Sequence, residues 1–119
     1  VHTYLLSGGF TFFTVALSQS LGMTGHFANE LEIVDGHLTG RTLGPIVNRQ
    51  RKAELLRELA AKHAIPLTNT VAAGDGANDM DMLSLSGMGI AFCAKPALVE
   101  ASASAIFVRD LRLVQELIF

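Results

Sequence analysis

Between Gly74 and Asp81 the chain reads Gly-Asp-Gly-Ala-Asn-Asp-Met-Asp, which gathers Asp75, Asn78, Asp79 and Asp81 in one short run. Hard cations such as Mg²⁺ take oxygen ligands, typically one or two carboxylates completed by phosphate oxygens and water. Gly74 and Gly76 let the backbone turn sharply between Asp75 and the next helix, so the run could hold such a cation at a strand's carboxyl end; a solvated acidic loop is the alternative. Asp79 has a plainer alternative as the cap of the helix that follows, and Asp81 is expected to face solvent. The run is not an EF-hand loop, because the D-x-[DN]-x-[DN]-G order and the closing glutamate are both missing. A second candidate is Ser7-Gly8-Gly9. A hydroxyl and glycine amides ahead of a helix can cradle phosphate, because the first amides of a helix lack intrahelical partners; a plain glycine turn is the alternative. The third is Lys52, which follows Arg49 and Arg51. Its ammonium could neutralise phosphoryl oxygens or hold a carboxylate as a point charge, against the alternative of a solvated surface cation. His2, His26, His37 and His63 are scattered without ligand spacing. Cys93 reads as a buried strand residue, and Phe10, Phe12 and Phe13 read as core.

Something must hold these groups in place. His2 to Leu6 reads as a short strand ending at Ser7-Gly8-Gly9, and Phe10 to Leu21 as a helix with Phe13, Ala16, Leu17 and Leu21 on its apolar side and Gly22 as its stop. From Glu30 to Leu43, apolar residues flank Asp35-Gly36, the signature of a β-hairpin. Asn48 to His63 is a helix with Ala53, Leu56, Leu59, Ala60 and His63 on one stripe and Glu58–Lys62 as an i,i+4 pair. Thr70 to Ala73 predicts a strand that delivers the acidic run. Met80 to Ser86 is a short helix stopped by Gly87, and Met88 to Cys93 a strand. Pro96 opens a helix to Ala101, Ala105 to Val108 is a last strand, and a helix runs from Asp110 onward. This alternation predicts an α/β fold, a parallel sheet flanked by helices with a small β-hairpin.

Composition narrows the function classes. The 119 residues are 50% hydrophobic and 17% charged, which excludes a disordered tail. A net charge of −2 offers no basic field for a nucleic-acid backbone. No Asp, Glu, Lys or Arg occurs before Glu30, but Ser7, Gly8, Gly9, Gln19 and Ser20 interrupt any apolar run long enough to span a membrane. A single cysteine fits a reducing cytosol, so a cytoplasmic location is expected.

In order, a strand ending in Ser7, a helical Lys52, and a strand ending in Gly74-Asp75 followed by Asn78-Asp79 resemble the second, third and fourth motifs of the haloacid dehalogenase superfamily of phosphohydrolases. The segments Leu6-Ser7-Gly8-Gly9-Phe10, Asn29-Glu30-Leu31, Asp35-Gly36 with Leu38-Thr39-Gly40, Gln50-Arg51-Lys52, Gly74–Asp79 and Ala94-Lys95-Pro96 are similar to its phosphoserine phosphatase branch, over nearly the whole chain to about Val108. The resemblance implies a Rossmann-like core over residues 1–119, as a single partial domain. It also implies Mg²⁺-dependent hydrolysis of the small phosphomonoester O-phosphoserine to serine and phosphate, the last step of serine biosynthesis, through an aspartyl-phosphate. Ser7 and the Gly8 amide would hold phosphoryl oxygens, and Lys52 would stabilise charge on nucleophile and phosphate. Asp75 would ligate Mg²⁺, Asn78 would contact the phosphate, and Asp79 would orient Lys52 or a metal-bound water. A homodimer is a further expectation for the parent protein.

The sequence departs from the family in one respect. The first motif, D-x-D-x-[ST], supplies the attacking aspartate and the general acid, and no aspartate precedes Asp35. The cap between the first and second motifs is also absent, so the sheet is expected to be incomplete. The chain begins with Val1 and is strand-like by Tyr4, from which a missing upstream segment is expected; with the attacking aspartate absent, the 119-residue chain alone is expected to be inactive. The other readings are a short protein that binds phosphate or Mg²⁺ without catalysis, and another small-molecule phosphatase on the same core.

Overall fold

The computed structural model describes residues 1–118, which form two compact units, Val1–Arg51 and the chain from Lys52 onward. In the first unit, β1 (Tyr4–Phe10), α1 (Thr11–Ser20), β2 (Gly25–Val34) and β3 (His37–Leu43) follow one another. The sheet order is β1-β2-β3, with β1 and β2 parallel and β2 and β3 antiparallel. Two boundaries differ from expectation. β2 starts at Gly25, five residues early, because its first half pairs with β1 and its second half forms the hairpin. β1 does not stop at Leu6; Leu6 faces Phe27 and Phe10 faces Asn29, so Ser7, Gly8 and Gly9 bulge opposite the single residue Ala28.

The turns follow their chemistry. Asp35 and Gly36 both have positive φ, +52° and +76°, in a two-residue loop between the paired Val34 and His37. That is the type I′ geometry whose twist matches antiparallel strands. Gly22 ends α1 with φ +62°, its amide donating to the Gln19 carbonyl while the Met23 amide reaches the Ser18 carbonyl. This pair of bonds closes a Schellman motif.

The expected face of α1 is reversed. Thr14 and Ser18 are the buried positions, while Phe12, Phe13, Leu17 and Leu21 are exposed. Thr14 Oγ1 hydrogen-bonds His26 Nδ1 of β2 at 2.9 Å, and this bond holds the small polar side of the helix against the sheet. Phe10 is exposed as well, so the three phenylalanines are not core.

The second unit takes in α2 (Arg49–Lys62) from Lys52 on, then β4 (Val71–Gly74), α3 (Met80–Leu85), β5 (Met88–Phe92), α4 (Pro96–Ala101), β6 (Ser104–Ile106) and α5 (Arg112–Ile118). Its sheet is parallel, order β4-β5-β6, with Gly74 opposite Ala91 and Phe92 opposite Ile106. The central β5 reads Met-Gly-Ile-Ala-Phe, the near-continuous apolar run of a strand covered on both faces. Leu55, Ile90 and Leu98 are fully enclosed, with Ala72, Met82, Leu83 and Ile106 around them.

Two further expectations are corrected in this unit. α2 buries Lys52, Leu55 and Ala60, a face rotated from the expected stripe; apolar residues on more than one side of the helix leave periodicity alone unable to choose. α3 ends just before Gly87, as expected, and a side chain there would run into the Thr68 carbonyl, so glycine is required by close approach. Cys93 lies just beyond β5, half-buried and with φ +46°, its amide donating to the Ile106 carbonyl at 2.7 Å. Among the described residues no helix is long and apolar enough to cross a membrane.

Candidate functional site

The acidic run leaves the end of β4 and tightens into a single 3₁₀ turn, Ala77–Asp79, before α3. The turn swings the Asp79 side chain back under the strand end, where it is 5% exposed. Its Oδ1 accepts a hydrogen bond from Lys52 Nζ at 2.7 Å. Its Oδ2 accepts the Asp75 amide at 3.1 Å and, more weakly, the Gly76 amide at 3.4 Å. Asp79 therefore makes no side-chain cap to α3, which disposes of its plainer alternative. Lys52 is 5% exposed and is not a solvated surface cation.

Burying two charges costs several kcal/mol for each ion unless they are paired and hydrogen-bonded. Here the carboxylate is saturated by one ammonium and two amides. The packing that permits this is specific: a Cβ on Gly74 would sit 2.5 Å from Asp79 Cβ, so only glycine lets the carboxylate tuck beneath the strand.

Asp75 is exposed at the carboxyl end of β4. Its backbone amide is spent on Asp79, but its carboxylate has no hydrogen-bond partner among the described residues. An open pocket of about 190 Å³ lies beside it, lined also by Phe92, Cys93, Arg109 and Leu111. Ligands of α/β sheets bind outside the carboxyl ends of strands, which is where this pocket opens. Among the described residues no three His, Cys, Asp or Glu side chains gather as a closed metal cage. A single open carboxylate fits Mg²⁺, which completes its shell with phosphate oxygens and water. Asn78 is exposed beside Gly76, whereas Asp81 is half-buried and engaged with a neighbouring group, against expectation.

The first unit carries the glycine loop. Ser7 Oγ accepts the Gly9 amide at 2.9 Å, which leaves the hydroxyl proton to donate elsewhere. A Cβ at Gly8 would meet nothing nearer than the Val47 carbonyl at 3.5 Å, and its φ is not positive. The chain itself tolerates a side chain at Gly8.

Asn29, singled out in the sequence only within the segment Asn29-Glu30-Leu31, completes this loop. Its Nδ2 donates to the Gly8 carbonyl at 2.9 Å and its Oδ1 accepts the buried Val47 amide at 2.7 Å. An asparagine inside a strand is itself a signal, because strands are depleted in that residue. The structure thus joins Lys52, Asp75 and Asp79 in one unit, and Ser7 and Gly8 with Asn29 in the other.

A family model described as haloacid dehalogenase-like hydrolase matches residues 1–84. The phosphoserine phosphatase of Streptomyces coelicolor is 54% identical over 110 residues, 92% of this chain and 27% of that protein. The unliganded crystal structure of a probable phosphoserine phosphatase from Vibrio cholerae superposes with a TM-score of 0.94 at 39% identity, over 98% of this chain and 36% of the other. A substrate-bound phosphoserine phosphatase superposes at 0.90 and 41% identity, over 98% and 55%. The chain is closely related to these phosphatases and spans about a quarter to a half of the length of the curated relatives it matches.

Proposed function

We propose that this chain, which belongs to the haloacid dehalogenase-like hydrolase family, supplies the phosphate-handling residues of a Mg²⁺-dependent phosphatase acting on O-phosphoserine. The observation that carries the reading is the buried Lys52–Asp79 pair beneath the exposed Asp75 carboxylate. A lysine held this firmly is positioned rather than merely present. Preorganised charge of this kind lowers phosphoryl-transfer barriers with no reorganisation at the moment of reaction.

In this proposal Ser7 donates its hydroxyl hydrogen, and Gly8 its amide, to phosphoryl oxygens. In the second unit, Lys52 offsets negative charge on a phosphoryl group, and Asp79 fixes the direction of the ammonium. Asn78, exposed beside Gly76, contacts the phosphate. Asp75 would hold Mg²⁺, whose charge further neutralises the phosphoryl oxygens when it is bound. None of these side chains is an attacking carboxylate, and the chain has no aspartate before Asp35. The 119 residues alone therefore bind the ester and do not turn it over.

The test is phosphate release from O-phosphoserine by the purified chain, with and without Mg²⁺. No release above a protein-free control is expected. Mg²⁺-dependent release that disappears in Asp75→Asn would overturn the inactivity and place an unrecognised nucleophile in the chain.

A further inference from the structure

At the β1 bulge, backbone groups that a continuous ladder would pair must find other partners. The Gly8–Gly9 peptide finds two. Its carbonyl accepts from Asn29 Nδ2 at 2.9 Å, and its amide donates to Ser7 Oγ at 2.9 Å. Both ends of one peptide plane are thus fixed by side chains, one from β2 and one from the loop itself. The same Asn29 carboxamide uses its oxygen on the Val47 amide at 2.7 Å, so it cannot rotate without losing a buried bond. Asn29 is 8% exposed, and replacing it would leave the Val47 amide without its acceptor.

We infer that Asn29 is a positioning residue for anion binding at the Ser7-Gly8-Gly9 loop. It locks the Gly8–Gly9 peptide, the peptide locks the Ser7 hydroxyl oxygen as an acceptor, and the hydroxyl hydrogen is left directed to a phosphoryl oxygen. Without the Asn29 donor the peptide plane can rotate, Gly9 releases Ser7, and the hydroxyl samples orientations that no longer donate to the anion. Asn29 touches no phosphate in this scheme and acts only through Gly8 and Ser7. The inference rests on the reading of this loop as a phosphate cradle.

The experiment is titration of the full 119-residue chain with inorganic phosphate, followed by amide shifts and hydrogen exchange, for wild type, Ser7→Ala, Asn29→Ala and Asn29→Asp. Asn29→Asp keeps an acceptor for Val47, removes the donor to Gly8 and adds one negative charge. Should Asn29→Ala fail to fold, it preserves the test through faster exchange at Gly9, which repulsion of the anion does not produce. Asn48→Ala is the structural control, since Asn48 Oδ1 accepts the Arg51 amide at 2.9 Å and has no bond to the loop. Expected is a loss of about tenfold in phosphate affinity for both Asn29 variants, with faster exchange at Gly9 and wild-type affinity for Asn48→Ala. If wild type binds no phosphate, or binds it as well in Ser7→Ala, the cradle reading fails and takes the inference with it. If Ser7→Ala weakens binding but the Asn29 variants match wild type, or lose no more than Asn48→Ala, the inference alone is overturned.

Discussion

From Lys52 onward the chain encloses Leu55, Ile90 and Leu98 completely, whereas in residues 1–51 the enclosed side chains are Thr14, Ser18, Asn29 and Val47. The contrast is sharpest on the helices. α2 turns Leu55 and Lys52 inward together, while α1 turns Thr14 and Ser18 inward and leaves Phe12 and Phe13 78% and 69% exposed. Each unit nevertheless buries a polar side chain that bridges more than one partner, Asp79 in the second and Asn29 in the first. In the second unit that group neutralises a buried ammonium, so disturbing it disturbs the fold. In the first it braces a bulged strand, so disturbing it changes local geometry more than global stability.

The largest effect should come from splitting the buried pair. Asp79→Asn keeps the side-chain shape but strands the Lys52 ammonium, at a cost of about 3–5 kcal/mol in denaturant-unfolding stability. Adding Lys52→Met to that variant should recover part of the loss, because no unpaired charge then remains. Next is a matched pair of core tests. Leu55→Ala should cost about 2–5 kcal/mol, whereas Phe13→Ser should stay within about 0.5 kcal/mol because its ring is already in water. Equal losses would erase the distinction between the units.

Glycines sharpen it further. Gly74→Ala forces a methyl group onto Asp79 and should cost about 1–3 kcal/mol, while Gly8→Ala meets only ordinary contacts and should leave the melting midpoint nearly unchanged. The smallest effect lies at the start of α5. There the Arg112 guanidinium, and then the Arg112 amide, hold the Asp110 carboxyl below its usual range. A depressed folded-state value stabilises above the unfolded one and is lost as pH falls through the folded one. Acidification should therefore fray the first turn of α5, visible at the Leu113 amide, without shifting the global transition measurably.

Much of this architecture was legible in the chain. Asp35-Gly36 announced its hairpin because only residues tolerant of positive φ fit a type I′ turn, and Pro96 marked a helix start for a similarly local reason. Asp75 and Asp79 stood out because carboxylates and glycines crowd one strand end, whereas Lys52 was a candidate through its place on a helix beside Arg49 and Arg51. What periodicity could not supply was the side of α1 that meets the sheet, since Thr14 is held there by a hydrogen bond with His26, twelve residues away, rather than by apolar burial. Nor could it supply the partner of Asn29, because the two residues it bridges, Gly8 and Val47, lie far apart along the chain. The burial of Lys52 was invisible for the same reason: its counter-charge is 27 residues distant.

The proposed function requires that these 119 residues bind phosphate and Mg²⁺ on their own. Calorimetric titration of inorganic phosphate into the purified chain, with Mg²⁺ present and absent, tests it most directly. The account predicts binding heat that grows with Mg²⁺ and loses that growth in Asp75→Asn. No heat in either condition, or the same Mg²⁺ response in Asp75→Asn, would contradict it.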